Sequence, residues 1–436
     1  MDNYEFINGK KYKKCSDNKI RNPITLRCIN NNYEFINGKK YKKCSDNKIR
    51  NPITMRCINN KNPIKIPTKI PNSTSNTNFI YDRITYSNIL LQHFKLKNNK
   101  NYCIKLYKID NNNNPIFRIG SNIILKNRIG SPSDYGIIYL SSFRHSDGKI
   151  FKFAIKMFLH ENKHLDKEIK ITERISKLVS NQISPHFILV YKILRCNNFN
   201  FYNIHNSSTS SSINDKSLQK FKNKSDFFNL YPTMFKNNIN HDFHIIICEL
   251  ANGDLRNFIS NPSNFSNNHI LHNTIVQIFI SLAFFTHYEN KVHYDTHDGN
   301  FLYHKIKKGG FFHYNIYGFD FYLENFGILW LLWDFGRATD NFHNFNINHD
   351  FQYIIEILKY KSKYISSSFF DNFIDIYNSL KSSINKFKYK FTLNHSINNN
   401  FKLYVLHFLN LFTNLNFIKT SLPPNTYLIN TKPFII

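Results

Sequence analysis

The chain lacks the segments that mark secreted or membrane-spanning proteins. Its start, MDNYEFINGKKYKK, has no apolar core of signal-peptide length. No run of about twenty apolar residues exists, and FKLYVLHFLNLFTNLNFI near the C-terminus is broken by His, Asn and Thr. An intracellular protein with no membrane partner is therefore expected. Glycine is scarce, 13 in 436 residues, while Phe, Tyr, Ile, Asn and Lys dominate. That skew reads as a bias toward A/T-rich codons, which strips Asn and Lys runs of functional meaning. Acidic residues are few, 29 against 58 Lys and Arg, for a net charge of +29. Such a charge fits nucleic acid, acidic lipid or acidic substrates, or simply lysines on solvated faces. No dense basic block occurs beyond KKYKK and no nucleic-acid motif is recognisable, so no specific nucleic-acid partner is expected.

What is present is a hydrophobic share of 42%, enough for a sizeable core in one large domain with an appendage. The appendage is a tandem repeat. NYEFINGKKYKKCSDNKIRNPITLRCIN begins at Asn3 and recurs from Asn32 with Met55 in place of Leu26, a period of 29. Asn8-Gly9 and Asn37-Gly38 suggest turns between short strands. Each copy holds two cysteines, Cys15 and Cys28, then Cys44 and Cys57. A unit this small needs a cross-link or a partner surface. One disulfide per copy or one shared zinc site would serve, although the C-x2-C spacing of zinc ribbons is missing. Cys103, Cys196 and Cys248 are scattered and fit free buried thiols of a reducing compartment.

Residues 61–78 are rich in Pro, Ser and Asn and read as a linker, with 61–116 as a lead-in to the main domain. The domain is expected over 117–415, with a tail over 416–436. Strand-like runs IILKNRI, GIIYLSSF and FKFAIKMF precede a helical stretch at 161–180. FILVYKIL and FHIIICEL follow, separated by a polar insertion over 197–240. From about residue 268, apolar segments at helical spacing dominate, as in ILHNTIVQIFISLAFFTHY. A β-rich part followed by an α-rich part makes an α+β fold in two lobes, not an alternating βα sheet.

HYDTHDGNFLYH, residues 293–304, raises the functional question: metal cage or phosphate-transfer loop. Asp334-Phe335-Gly336 lies 34 residues after Asn300, behind the apolar strand ILWLLW. Asp295 and Asn300 stand in a D-x4-N relation. Phosphoryl transfer needs one carboxylate to take the proton of the attacking hydroxyl, and an amide with a second carboxylate to hold Mg2+ on the phosphates. Asp295, Asn300 and Asp334 supply that set. Lys156, in FAIKMF, can clamp the phosphates of ATP if a carboxylate holds it. Glu168 and Glu173 are the candidates. Glu168 shares a helix face with Ile171 and Ile175 and is preferred by periodicity, although the 12-residue gap to Lys156 is short and Glu173, at 17, fits kinase spacing better. Gly130 and Gly136 flank a polar turn whose amides can cover phosphates. In IIICELANGDL, backbone groups around Glu249 and Ala251 suit the adenine edge, and Asp254 either accepts from a ribose hydroxyl or caps a helix.

These five elements, in this order, resemble the eukaryotic-like protein kinase superfamily across about 117–415. The loop HYDTHDGNFLYH and the long hairpin after it look most like the divergent serine/threonine kinases of large DNA viruses. The C-x12-C repeat ending in NPIT-x-RCI is similar to a two-cysteine adaptor module of iridovirus and entomopoxvirus type, which implies a docking role for an unknown partner. The resemblance implies a bilobal fold, ATP and Mg2+ as cofactors, Asp295 as base, Asn300 and Asp334 as metal ligands, and a protein substrate. Two departures stand out. Tyr294 replaces the Arg of His-Arg-Asp, and His297 stands where protein kinases carry Lys, as in aminoglycoside and choline phosphotransferases. A small-molecule kinase and a pseudokinase scaffold are the alternatives.

Overall fold

A computed structural model describes residues 79–93, 104–109, 115–119, 123–129, 136–144, 150–159, 165–199, 241–261, 264, 268–339, 349–362, 367–388, 397–430 and 432–436, together with short strands within the first sixty residues. The chain divides into two compact units, Met1–Asn76 and Thr77–Ile436.

In the first unit the repeat is visible as backbone pairing. β1 (Tyr4–Ile7) pairs with β2 (Lys10–Lys13), and β3 (Lys19–Arg21) with β4 (Cys28–Asn30). The second copy repeats this as β5 (Tyr33–Ile36) with β6 (Lys39–Lys42), and β7 (Lys48–Arg50) with β8 (Cys57–Asn59). The register is the same in both copies, Tyr4 opposite Lys13 and Tyr33 opposite Lys42. Asn-Gly occupies each two-residue connection, the sequence that tight hairpins favour. Cys15, Cys44 and the side chains of Cys28 and Cys57 lie outside the described residues, as does any cross-link between them.

The second unit is a mixed α+β body. Its seven-stranded antiparallel sheet has the order β14-β15-β13-β12-β11-β10-β9. The strands are β9 (Ile104–Ile109), β10 (Pro115–Ile119), β11 (Ile123–Ile129), β12 (Ile137–Arg144), β13 (Ile150–Leu159), β14 (Val190–Phe199) and β15 (His241–Cys248). β13 lies between β12 and β15 and is buried from Phe153 to Phe158, so its apolar run is continuous, not alternating. Two helices flank this sheet. α1 (Phe79–His93) buries Arg83, Ser87 and Leu90, spaced as one helix face, and its Tyr86 hydroxyl bonds the backbone of Lys152. α2 (Leu165–Ser180) buries Glu168, Ile171, Thr172, Ile175 and Val179 and exposes Asp166, Lys170, Glu173 and Lys177.

Beyond the sheet come α3 (Leu255–Ile259) and α4 (Asn268–Glu289), then α5 (His349–Ser362), α6 (Ser367–Lys388) and α7 (Ile397–Asn414). Among the described residues α4 alone is long and apolar enough to cross a membrane, yet 83% of its most apolar window is buried in the protein. It is a core helix, apolar on all sides because it is covered on all sides. Phe279 on α4 packs with Phe351, Phe408 and Phe412 from α5 and α7. Against α4 lies β20 (Ile328–Leu332), every residue of it buried, in a small sheet ordered β16-β17-β20 with β16 (Gly253–Asp254) and β17 (Phe301–Lys305). The hairpin β18 (Phe311–Ile316) and β19 (Phe319–Glu324) takes β21 (Phe434–Ile435) as a third, parallel strand.

Three expectations shift. The lead-in over 61–116 contains α1 and β9, so the second unit begins at Thr77 instead of at 117. Residues 416–436 are not a loose tail. β21 completes the hairpin sheet, Asn430 bonds His313 from both ends, and Ile435 N–H donates to the Ile183 carbonyl. Cys248 is a free buried thiol, whereas Cys196 is disulfide-bonded. The insertion after Phe199 lies outside the described residues up to 240.

Candidate active site

The site begins at Lys156. Its neighbours across the sheet are Ile138 and Ile246, and little of its side chain meets water. A buried ammonium requires anionic partners. Two provide them: Glu168 Oε1 at 2.7 Å from α2, and Asp334 Oδ1 at 3.1 Å from the turn after β20. Phe158 and Trp333 lie within 6 Å of the ammonium, at 5.6 and 5.7 Å to their ring centroids. Burial disfavours the charged lysine, but Asp334 and then Glu168 outweigh it and raise its pKa. Burial raises the Glu168 carboxyl, only partly offset by Lys156. At Asp334 burial loses to Lys156, and the pKa falls. Glu168, not Glu173, is thus the carboxylate beside the lysine; Glu173 is exposed on the opposite face of α2.

Asp334 carries strain. Its φ of +64° is left-handed, a costly conformation for a non-glycine residue and one often found at functional sites. Its side chain stays 32% exposed, so it faces both the lysine and the solvent. Gly336 allows the turn to close, because a Cβ there would stand 3.2 Å from Glu168 Oε2. Phe335 is core, packed on Phe285 at 5.1 Å and on His293 at 5.4 Å.

The 293–300 loop is fixed to this turn. His293 is fully buried, and its Nε2–H donates to the Trp333 carbonyl at 3.0 Å, which leaves Nδ1 buried without a partner. Burial lowers its pKa, consistent with a neutral ring. Asp350, at the start of α5, accepts from the backbone N–H groups of His293 and Tyr294 at 2.7 and 2.8 Å. Thr296 Oγ1 donates to the Asp350 carbonyl. Asn300 N–H donates to the His297 carbonyl, and its carbonyl accepts from Trp333 N–H. The Asn300 side-chain amide donates to the Asp295 carbonyl at 2.8 Å and to Asp295 Oδ2 at 3.3 Å. That geometry orients the amide so that Oδ1 keeps no protein partner. Asn300 Oδ1 and the Asp334 carboxylate are hard oxygen donors of the type Mg2+ takes. Asp295 also faces Arg337 at 3.7 Å and His297 at 3.9 Å.

A metal cage over 293–298 is not assembled. His293 is committed to Trp333. Asp298, expected as a turn residue, is buried and bonded by Arg256 at 3.0 and 3.1 Å. Among the described residues no three or more His, Cys, Asp or Glu gather for a metal ion.

The segment after β15 divides its roles. The Glu249 carbonyl and the Ala251 amide have no hydrogen-bond partner, so their polar edge is open to a ligand. The Glu249 side chain points inward. Arg83 on α1 grips it through Nε at 2.9 Å and through a second nitrogen. His304 on β17 stands 3.1 Å away, and Leu189 N–H donates at 2.7 Å. Arg83 also donates to the Pro185 and Phe187 carbonyls. Asp254 caps α3, accepting from Asn257 N–H at 2.7 Å; of its two expected roles the cap is the one the structure contains. Gly136 is buried where a Cβ would meet the Met157 carbonyl at 3.0 Å, a close approach of β12 to β13. Gly130 lies outside the described residues. Neither the protein-family models nor the curated proteins searched match this chain.

Proposed function

We propose that the chain is an ATP- and Mg2+-dependent phosphotransferase, a serine/threonine protein kinase of bilobal architecture. The single observation that carries this reading is Lys156 held between Glu168 and Asp334, from a strand, a helix and a turn far apart in sequence. In this reading the seven-stranded sheet and α2 form the upper lobe. The helical body forms the lower one, and the nucleotide lies between them with its adenine on the open backbone edge at Glu249–Ala251.

The residues divide the work. Lys156, kept charged by its two carboxylates, neutralises phosphate oxygens as charge moves during transfer. Glu168 holds that lysine in place. Asp295 accepts the proton of the acceptor hydroxyl, and Asn300 fixes its carboxylate by donating to it. Mg2+, held by Asn300 and Asp334, would neutralise the triphosphate. The resemblance of the loop to kinases of large DNA viruses favours a protein acceptor over a small molecule.

The test separates binding from transfer. Asp295→Ala is expected to abolish incorporation of labelled γ-phosphate while ATP still shifts the thermal unfolding of the variant. Wild-type protein that labels neither itself nor any acidic or basic protein in Mg2+ or Mn2+ would remove this reading.

A further inference from the structure

Asp295 does not stand in an acidic or neutral surface. Arg337 lies 3.7 Å from its Oδ1 and His297 lies 3.9 Å from its Oδ2. Gly299 continues the surface, since a Cβ built there would touch His297 at 2.9 Å and Arg256 NH2 at 3.5 Å. Arg256, on α3, reaches Asp298, and Lys361, at the end of α5, approaches the other oxygen of the same carboxylate at 3.9 Å. Four basic side chains from four parts of the chain thus form a continuous row past Asp295.

Structural duty does not account for this row. Asp298 is nearly sealed, and one cation neutralises one carboxylate; it faces two. The cations are not buried with it. Arg337 is 58% exposed, Arg256 44% and Lys361 38%. Two carboxylates against three permanent cations and a histidine leave a positive surplus facing solvent beside the proton acceptor. A basic row of this kind concentrates anions and repels cationic segments.

We propose that this row is the acceptor-binding surface and that it selects a serine or threonine set in an acidic stretch of a protein. The inference rests on the phosphotransferase reading and adds the substrate class. With the hydroxyl at Asp295, carboxylates on one side of it meet Arg337. Carboxylates on the other side meet Arg256 and Lys361. A segment flanked by Lys or Arg meets like charge at each of these places.

The experiment offers wild-type protein three serine peptides of equal length, flanked by Glu and Asp, by Ala and Gly, or by Lys and Arg, with a phosphorylated small alcohol as a fourth acceptor. The acidic peptide is expected to be used with kcat/KM on the order of tenfold or more above the neutral one, an advantage that shrinks as salt is raised. Lys361→Glu is expected to remove most of that advantage. Lys381→Glu, an exposed lysine on α6 outside the row, is expected to keep it. Lys361 is the better probe, because Arg256→Glu would also strand the buried Asp298. Equal use of the three peptides, or preference for the basic one, overturns the acidic-acceptor inference and leaves phosphotransfer standing. Transfer to the small alcohol alone overturns the assignment to a protein segment. Label on no acceptor, the protein itself included, overturns both readings.

Discussion

Glu249 is the residue whose behaviour the structure defines most sharply. Burial pushes its carboxyl up, but Arg83 and then His304 outweigh burial and bring the pKa from 4.5 to about 2. The unfolded chain therefore binds a proton near pH 4.5 that the folded chain takes only near pH 2. Its contribution to stability, of order 3 kcal/mol, is complete above about pH 4.5 and is lost as pH falls toward 2. Acid unfolding of wild type is expected to be steep in that window and shallower for Glu249→Gln; superimposable acid limbs would refute the account of this carboxylate. Arg83→Ala leaves the carboxylate buried with one ring and one amide, and is expected to cost about 3–5 kcal/mol in urea unfolding. Nothing in the sequence pointed to Arg83. Its partner is 166 residues away, and it follows a Pro-, Ser- and Asn-rich stretch that reads as linker. Glu168 was legible, because helix periodicity alone puts it on the face of Ile171 and Ile175. Asp254 was legible only as a choice between cap and ligand.

Among the elements, α2 decides whether Lys156 has its carboxylate. Three contacts hold the helix. Glu168 reaches Lys156 at its N-terminal end, and Ser176 Oγ accepts from Val190 N–H at 2.8 Å. Between them Arg174 forms an ion pair with Glu289, the last residue of α4, just before the 293–300 loop. Arg174 is half exposed but Glu289 is sealed, so removal of the arginine strands a carboxylate. Arg174→Ala is expected to lower stability by about 1.5–3 kcal/mol and to reduce phosphate transfer more than ATP binding, read by steady-state kinetics beside nucleotide titration. Transfer and binding falling in equal measure would contradict a role in seating α2. The strands and α2 were readable from their apolar runs. β21 was not, since two residues carry no periodicity and their pairing with β18 is set by the folded body.

Across the whole molecule the units differ in kind. The repeats pair only within short hairpins, while the body from Thr77 holds the site, the clamp at Glu249 and the aromatic core. A chain beginning at Thr77 is expected to unfold cooperatively and to keep the transfer rate of the full chain; one that aggregates or loses transfer would tie the repeats to folding or catalysis. The α+β character and the order of motifs were written in the sequence because they depend on local pattern and spacing. The partners of Arg83, Asp298 and Arg174 were not, because each ion pair joins segments that only folding brings together.

The reading of the site stands on Asp334 meeting Lys156 on one side and the nucleotide phosphates on the other. Labelled γ-phosphate transfer by wild type and by Asp334→Asn, side by side in Mg2+ with protein and small-alcohol acceptors, separates the possibilities. Wild type is expected to transfer label, and the variant to transfer it about 100- to 1,000-fold more slowly while unfolding as cooperatively as wild type. Equal transfer by the two proteins, or none by either, would contradict the account.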